Sequence, residues 1–191
     1  MLVTTQGWEY VLYLTLASTG PRIGEALALE CKHLINGGRT LRIEQQVNRF
    51  GKIVPFTKTK AGIREVDLHP NITDCRLGWV RSRKGLLFCT RNGTPFLSGN
   101  VQKRKLMKHT KKSFHAFRRF RNTHLREQNC QQDILIFWMG HKPSSMSELY
   151  SKLSRNLKAR LAEAERVGLG FKVNLEPEDF QPEEVVELLN G

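Results

Sequence analysis

Residues 19–27 read Thr-Gly-Pro-Arg-Ile-Gly-Glu-Ala-Leu and separate two apolar helical patterns. The pattern over 7–18 predicts a buried helix, which the Gly-Pro pair ends. Pro21 favours the first turn of a second helix, predicted over 22–29, because its fixed φ and missing N–H are tolerated there. Arg22 therefore starts a helix, where its guanidinium and the terminal amides can face one anion together. Taken alone, the simpler interpretation is an exposed arginine paired with an acid further along the helix, Glu25 or Glu30.

Downstream of residue 40 the pattern changes from helical to extended. Residues 41–47, 52–57 and 64–68 each read as a strand, which predicts a small three-stranded antiparallel sheet. Lys58 and Lys60 lie at the tip of the hairpin between the last two strands, where a lysine is most often part of a solvated turn. Their functional interpretation is an ammonium group that reaches a phosphate site and donates a proton.

The rest of the chain is predicted to be mainly helical, in segments covering 100–109, 114–128, 133–139, 148–167 and 183–189. A mostly helical chain with one small antiparallel sheet belongs to the α+β class. A length of 191 residues fits one domain with a sizeable core.

The charge of the chain is strongly one-sided. Lys and Arg number 31 against 18 Asp and Glu, which gives a formal net charge of +13. Between Asp74 and Glu127 there are fifteen Lys or Arg and no acid, whereas the residues after Lys172 are acidic. A basic surface of one sign favours nucleic acid as the partner, because it neutralises phosphates and releases counterions. An anionic membrane is disfavoured because the basic stretch has no clean apolar face.

Other classes of protein are disfavoured by the same sequence. No apolar stretch reaches the ~18 residues that a membrane-spanning helix needs, and the residues before Tyr10 lack the basic start of a secretory signal. The four cysteines are spaced unlike metal ligands or a disulfide framework. We therefore expect a cytoplasmic, nucleoid-associated protein with reduced thiols and with no metal or other cofactor.

His115 and Arg118 are three residues apart on a predicted helix, so both side chains project from one face. An imidazole that donates a proton and a bidentate guanidinium can grip one phosphate together. The alternative is a basic helix that faces nucleic acid and in which His115 is incidental.

Two further residues follow the apolar helix that ends at Met139. His141 comes after a glycine, and Tyr150 lies nine residues later. A single tyrosine is usually a packing residue, because a phenol with a pKa near 10 is a weak nucleophile unless cations and a base assist it.

Taken in order, these segments resemble the catalytic domain of the tyrosine recombinases, also called the phage integrase family. Residues 19–27 are similar to the family's first-arginine box, and 57–64 to its lysine hairpin. His115-Ala116-Phe117-Arg118 fits the His-x-x-Arg box, Met139-Gly140-His141 fits the Gly-His box, and Tyr150 stands where the family places its nucleophile. The resemblance covers about residues 5–155, and it implies the family's mostly helical fold with a small sheet.

The resemblance also implies a reaction. Tyr150 would attack a DNA phosphate to give a 3′-phosphotyrosyl enzyme and a free 5′-hydroxyl, without ATP or metal. Arg22 and Arg118 would hold the non-bridging oxygens. His115 would accept the phenol proton and His141 would donate a hydrogen bond to the phosphate. Lys58 would protonate the leaving oxygen, with Lys60 as the alternative acid.

Double-stranded DNA is the partner that this family implies, bound by a monomer that assembles into a homo-tetramer on its sites, with no membrane partner. Further DNA contacts are expected at basic side chains flanking the boxes, namely Lys60, Arg64, Lys111, Lys112 and Arg119.

The expected domain organisation is a catalytic domain over 1–172 followed by an acidic tail over 173–191. The family's N-terminal DNA-clamping domain is expected to be absent. A leucine stripe at 153, 157 and 161 suits a helix that docks either on a neighbouring protomer or on its own chain. Two other functions remain open, a topoisomerase that relaxes supercoils by the same chemistry and a non-catalytic DNA-binding module.

Overall fold

The structure is a computed structural model that describes residues 7–56, 63–73, 85–106, 110–141 and 156–173. Its helices are α1 (Gly7–Thr19), α2 (Ile23–Leu27), α3 (Ser98–Arg104), α4 (His115–Glu127), α5 (Gln132–Met139) and α6 (Leu157–Val167). Its strands are β1 (Leu34–Ile35), β2 (Thr40–Ile43), β3 (Gln45–Val47), β4 (Ile53–Pro55) and β5 (Arg64–Asp67). The predicted α+β class is confirmed, with helices as the larger part.

The described helices follow the predicted ones with small shifts at their ends. Helices α1, α4 and α5 match within one residue at each end, whereas α2 ends two residues earlier than predicted. Helix α3 begins two residues earlier than predicted and ends at Arg104 instead of residue 109. Of the predicted helix over 148–167, residues 156–167 are described, and the helix begins at Leu157 with Asn156 as its N-cap. The predicted helix over 183–189 lies outside the described residues.

The predicted sheet is corrected in its membership. The three-stranded antiparallel sheet has the order β1-β2-β5, and its third strand is the two-residue β1. The predicted middle strand pairs instead as β4 with β3, in a separate two-stranded sheet. The change of partner has a local cause at Gln45, whose side-chain amide donates to Ala28 O and Glu30 Oε1 at 2.8 and 2.7 Å. These bonds hold β3 beside the end of α2.

Helix α1 runs through the core, and its side chains are buried on all faces from Tyr10 to Thr19. The hydroxyls of Thr15, Ser18 and Thr19 donate to carbonyls one turn earlier, as Thr15 Oγ1 does to Val11 O, so these three buried hydroxyls are satisfied. The aromatic rings of Tyr13 and Phe117 stack with centroids 5.7 Å apart and join α1 to α4. None of the helices in the described ranges is long and apolar enough to cross a membrane.

Helix α6 packs on its own chain through a buried charged network. Arg160 Nε donates to Asp67 Oδ2 at 2.8 Å, and the Trp138 indole N–H donates to the same oxygen at 3.0 Å. Asp67 Oδ1 accepts from Thr40 Oγ1 at 2.8 Å, and Arg160 Nη2 reaches Glu65 Oε2 at 2.5 Å.

The buried face of α6 differs from the predicted leucine stripe. It consists of Arg160, Glu163, Ala164 and Val167, while Leu157 and Leu161 are half-buried. Leu153 lies outside the described residues. For 157–167 the structure therefore favours packing in cis.

Candidate active site

The turn between α1 and α2 brings the backbone close to α4 and α5. Gly20 has φ +64°, and a Cβ at this position would lie 2.8 Å from Met139 Cε and 3.3 Å from Arg121 Cβ. Only glycine satisfies both the left-handed backbone and this close approach. The Gly20 carbonyl accepts a hydrogen bond from Arg118 Nη1 at 2.8 Å, so the turn that precedes Arg22 is bonded directly to α4.

Glu25 joins two arginines at the start of α2. Its Oε2 accepts from the Arg22 backbone N–H at 2.8 Å and its Oε1 accepts from Arg22 Nη1 at 2.9 Å. From the other side Arg64 donates to both oxygens, through Nη2 at 2.7 Å and Nη1 at 3.3 Å. Burial alone would raise the pKa of Glu25, but the hydrogen bonds and charges of Arg64 and Arg22 lower it overall. The Glu25 carboxylate is therefore ionised, and both of its oxygens accept hydrogen bonds from arginine.

Arg64 lies inside the protein, and this corrects the predicted DNA contact at this residue. Its side chain is 1% exposed, because two of its nitrogens bind Glu25 and its Nε donates to the Trp138 carbonyl at 2.9 Å. Gly140, with φ +63°, lies against it, since a Cβ there would be 2.9 Å from Arg64 Cδ. A guanidinium with these partners supports the chain before His141 and presents no surface to DNA.

Arg118 connects the Gly20 turn to the end of α5. Its Nη2 donates to the Met139 carbonyl and lies 3.2 Å from Nε2 of His141. Burial, together with the charges of Arg22 and Arg64, lowers the pKa of Arg118 to about 10. Arg118 still carries its charge at neutral pH, because its pKa, although lowered first by burial and then by the neighbouring guanidinium groups, stays well above 7.

Burial and neighbouring cations both favour the neutral form of His141. Burial and then the charge of Arg118, with smaller contributions led by Arg22, lower the pKa of His141. Because Arg118 can only donate, the facing Nε2 accepts and the ring proton is assigned to Nδ1. His141 is exposed, so this N–H is available to a ligand.

The cluster of Arg22, Glu25, Arg64, Arg118 and His141 is thus supported from inside and open to solvent on one side. The Arg22 side chain is 57% exposed, whereas those of Glu25 and Arg64 are almost completely buried. Positively charged donors fixed in position and short of counter-ions are suited to bind a phosphate. Within the described ranges no group of three or more His, Cys, Asp and Glu side chains is arranged to hold a metal ion.

The other predicted site residues fall into two groups. His115 is exposed on the first turn of α4, three residues before Arg118. Lys111 and Arg119 are exposed and Lys112 is half-buried, so these three remain predictions as DNA contacts. Lys58, Lys60 and Tyr150 lie outside the described residues, and their roles likewise remain predictions.

The pair of Arg22 with Glu25, one of the two acids considered from the sequence, is present in the structure. The sequence-based prediction missed that Glu25 also connects Arg22 to Arg64. The spacing of Glu25 three residues after Arg22 was a usable signal, since a Glu at the third helical position commonly accepts from the N-cap backbone N–H. Arg64 gave no such signal, because both partners are distant in sequence, Glu25 by 39 residues and Trp138 by 74.

Solved structures similar to this chain are integrases. The integrase from mycobacterium phage Brujita has a TM-score of 0.61 at 18% sequence identity, covering 99% of this chain and 58% of that one. The Tn1549 transposon integrase in complex with a circular intermediate DNA has a TM-score of 0.58 at 22% identity, covering 84% of this chain and 58% of that one. The same integrase with transposon right end DNA gives 0.58 at 23% identity, covering 85% and 60%.

These identities are low enough that the structural likeness establishes the fold alone, and the chain spans about three fifths of the length of these integrases. No curated protein matches the chain. The sequence profile of the phage integrase family matches residues 3–156, which is most of the chain. The chain therefore belongs to the phage integrase family of tyrosine recombinases.

Proposed function

We propose that this chain is a site-specific DNA recombinase that cuts and rejoins strands through a covalent bond between Tyr150 and a DNA 3′-phosphate. The observation that carries the proposal is that Arg22, Arg118 and His141, which are far apart in sequence, lie in one cluster, with Arg22 and His141 exposed and Arg118 buried beside them. Family membership and the Tn1549 integrase–DNA complexes support DNA as the substrate.

The cation cluster suits the charge that develops during phosphoryl transfer. Arg22 and Arg118 would bind the two non-bridging oxygens of the scissile phosphate, and the Nδ1–H of His141 would donate a further hydrogen bond. Arginine fits this role because it stays charged and binds two oxygens at once. The buried bonds of Glu25 and Arg64 keep these groups oriented before DNA binds, so little reorganisation accompanies the reaction.

The proposed first step balances as follows. The Tyr150 phenolic oxygen attacks phosphorus and its proton passes to His115. The bond between phosphorus and the 5′-oxygen breaks, and Lys58 gives that oxygen a proton to form the 5′-hydroxyl. Attack by the 5′-hydroxyl of a partner strand reverses these events, restores the phenol and leaves a recombinant strand.

The assignment of Tyr150 is supported by the positions of the other tyrosines. The chain has three, and Tyr10 and Tyr13 are both 4% exposed within α1. Burial, followed by the charge of Glu9, raises the pKa of Tyr13 above its ordinary value, which disfavours a phenolate there. The two tyrosines that the structure describes are therefore disfavoured as attachment points, which leaves Tyr150 as the proposed nucleophile.

The test is to express the chain in cells, isolate it under denaturing conditions and sequence any DNA that remains attached. The parent should retain a covalent adduct that Tyr150→Phe abolishes, because this change removes one hydroxyl and no charge. Tyr13→Phe is the matched control and should keep the adduct. The recovered DNA also identifies the site for later assays.

Three other results would contradict the proposal. An unchanged adduct in Tyr150→Phe would exclude this nucleophile. DNA binding that depends on salt, without any adduct, would indicate the non-catalytic module. Relaxed circles without recombinant products would indicate the topoisomerase.

A further inference from the structure

The hairpin between β3 and β4 ends in a tightly bonded turn over residues 48–52. The Asn48 side-chain oxygen accepts from the backbone N–H groups of Phe50 and Lys52 at 2.9 and 3.0 Å. The Asn48 backbone N–H donates to Lys52 O at 2.9 Å, and Gly51 N–H donates to Asn48 O at 3.0 Å. Four bonds to one asparagine hold the turn in a single conformation.

The turn displays an aromatic ring and two cations. Phe50 is 70% exposed, the largest exposure among the described large hydrophobic residues. The guanidinium carbon of Arg49 lies 4.7 Å from the centroid of this ring, a cation–π distance that holds the charge at the tip. Lys52 is also exposed. Neither cation forms an ion pair with any described residue, and the sequence has no acid between Glu44 and Glu65.

The hairpin packs beside the helix that begins after Arg22. A Cβ on Gly24 would lie 2.8 Å from the carbonyl oxygen of Val47, the last residue of β3. Arg22 is two Cα–Cα steps from Gly24, and Arg49 is two steps from Val47. At 3.8 Å per step, and with the contact between Gly24 and Val47 added, the Cα atoms of Arg22 and Arg49 are therefore within about 22 Å of each other. Duplex DNA carries about one phosphate per 1.7 Å of its axis, so this distance corresponds to about a dozen phosphates.

We infer that the β3–β4 turn is a second DNA-binding element, separate from the cation cluster. Arg49 and Lys52 contact backbone phosphates of the duplex that flank the cleavage position, and Phe50 holds the Arg49 guanidinium in place and lies against the edge of a groove. The inference rests on the proposed function, since it takes the phosphate at Arg22 to be part of duplex DNA.

The chemistry of the turn favours DNA over a second copy of the chain. The aromatic ring is covered on one side by a guanidinium, so the tip presents positive charge more than apolar area. A second copy carries a net charge of +13 and would be repelled. Binding of a polyanion is favoured because each phosphate that the turn neutralises releases counterions. The turn does not have to change its conformation for this to happen.

The experiment measures the binding of a fluorescein-labelled 30-base-pair duplex over a series of salt concentrations, in the Tyr150→Phe background so that no covalent step contributes. The double variant Arg49→Ala/Lys52→Ala should reduce the slope of log affinity against log salt by about 1.8, at about 0.9 per phosphate contact. Phe50→Ala should weaken binding about two- to fivefold, the range expected for a lost cation–π contact.

The control is Lys158→Ala/Lys172→Ala, which removes the same charge from exposed positions outside the hairpin. Its slope should change by less than half as much. If the slope changed equally in both double variants, the effect would come from net charge and not from the position of the turn, and the inference would be overturned.

Two other results also overturn the inference. One is an unchanged slope in the hairpin variant while the parent binds DNA. The other is a loss of self-association by the hairpin variant, measured by sedimentation, which would identify a second copy as the occupant. Failure of the proposed function is read separately, as the absence of a covalent DNA adduct in the chain that keeps Tyr150, and the binding measurement in the Tyr150→Phe background does not depend on it.

Discussion

Two charged networks meet at Trp138 and both draw on strand β5, but they end differently. The active-site network runs from Arg64, which binds the Trp138 carbonyl, through Glu25 to Arg22, whose side chain is more than half exposed. The α6 network binds the Trp138 indole N–H through Asp67, whose remaining acceptor capacity is taken by Arg160 and Thr40. In the active-site network, buried side chains hold a cation that is exposed at the surface. In the α6 network, the partners of Asp67 are themselves buried.

The comparison shows why burial of a charge does not by itself indicate function. Asp67 and Glu25 are each 1% exposed and each accept at least three hydrogen bonds. They differ in their partners. Glu25 binds Arg22, whose exposed guanidinium has further N–H donors at the surface, whereas the partners of Asp67 are buried. We therefore assign Glu25 to the orientation of Arg22 and Asp67 to the attachment of α6 to β5.

The largest expected effect separates these two roles. Glu25→Gln should lower the free energy of unfolding by about 3–5 kcal/mol, because it leaves the buried Arg64 without its charged partner. Asp67→Asn should lower it by less, about 1–3 kcal/mol, because Arg160 keeps its ion pair with Glu65. Among molecules that remain folded, only Glu25→Gln should slow DNA cleavage, since Arg22 loses its anchor. Urea unfolding gives the first quantity and single-turnover cleavage of the recovered DNA site gives the second. An equal slowing in Asp67→Asn would erase the distinction between the networks.

A second prediction concerns the arginine that closes the active-site network. Arg118→Ala should reduce single-turnover cleavage about a hundredfold or more, equivalent to about 2.7 kcal/mol, as losses of oxyanion donors do. The matched control is Arg91→Ala, which removes an exposed arginine in the turn before Pro95. Both are compared at saturating DNA. A loss below tenfold would mean that Arg118 only holds the Gly20 and Met139 carbonyls.

Short-range spacing made much of the site predictable. Arg22 at a helix start, His115 and Arg118 three residues apart, and His141 after a glycine were all read from local patterns, and the structure puts the described ones on those elements. The predicted contact between DNA and Arg64 was wrong because residue type alone suggests an exposed cation. Its burial depends on a carboxylate and a carbonyl that only the folded chain brings near.

The sheet shows the same limit. Strand β1 has only two residues, which are too few to show an alternating hydrophobic pattern in the sequence. It nevertheless pairs with β2 through Leu34–Leu41 and Ile35–Thr40. The apolar alternation over 41–47 was read as one strand, but Gln45 redirects its second half toward α2. Such changes of partner depend on tertiary hydrogen bonds, which hydrophobic periodicity does not report.

The smallest expected effect compares two glycines with nearly the same backbone. Gly140 and Gly37 have φ of +63° and +66°, so an alanine at either position should cost about 1–2 kcal/mol in left-handed strain. Around Gly37 there is open space, whereas a Cβ at Gly140 meets Arg64 Cδ at 2.9 Å and Nε at 3.1 Å. Gly140→Ala must therefore shift the buried guanidinium or the turn that carries His141.

We expect Gly140→Ala to lose more stability than Gly37→Ala by thermal or urea unfolding, because it adds the clash with Arg64 to the same backbone strain. Gly140→Ala alone should slow single-turnover cleavage, by about three- to tenfold, because small displacements of positioned groups reduce rate. Equal cleavage rates in the two variants would show that the active-site network tolerates movement of Arg64. The support that reaches Arg22 through Glu25 would then matter for stability, as in the α6 network, and the difference between the two networks would lie only in their exposure.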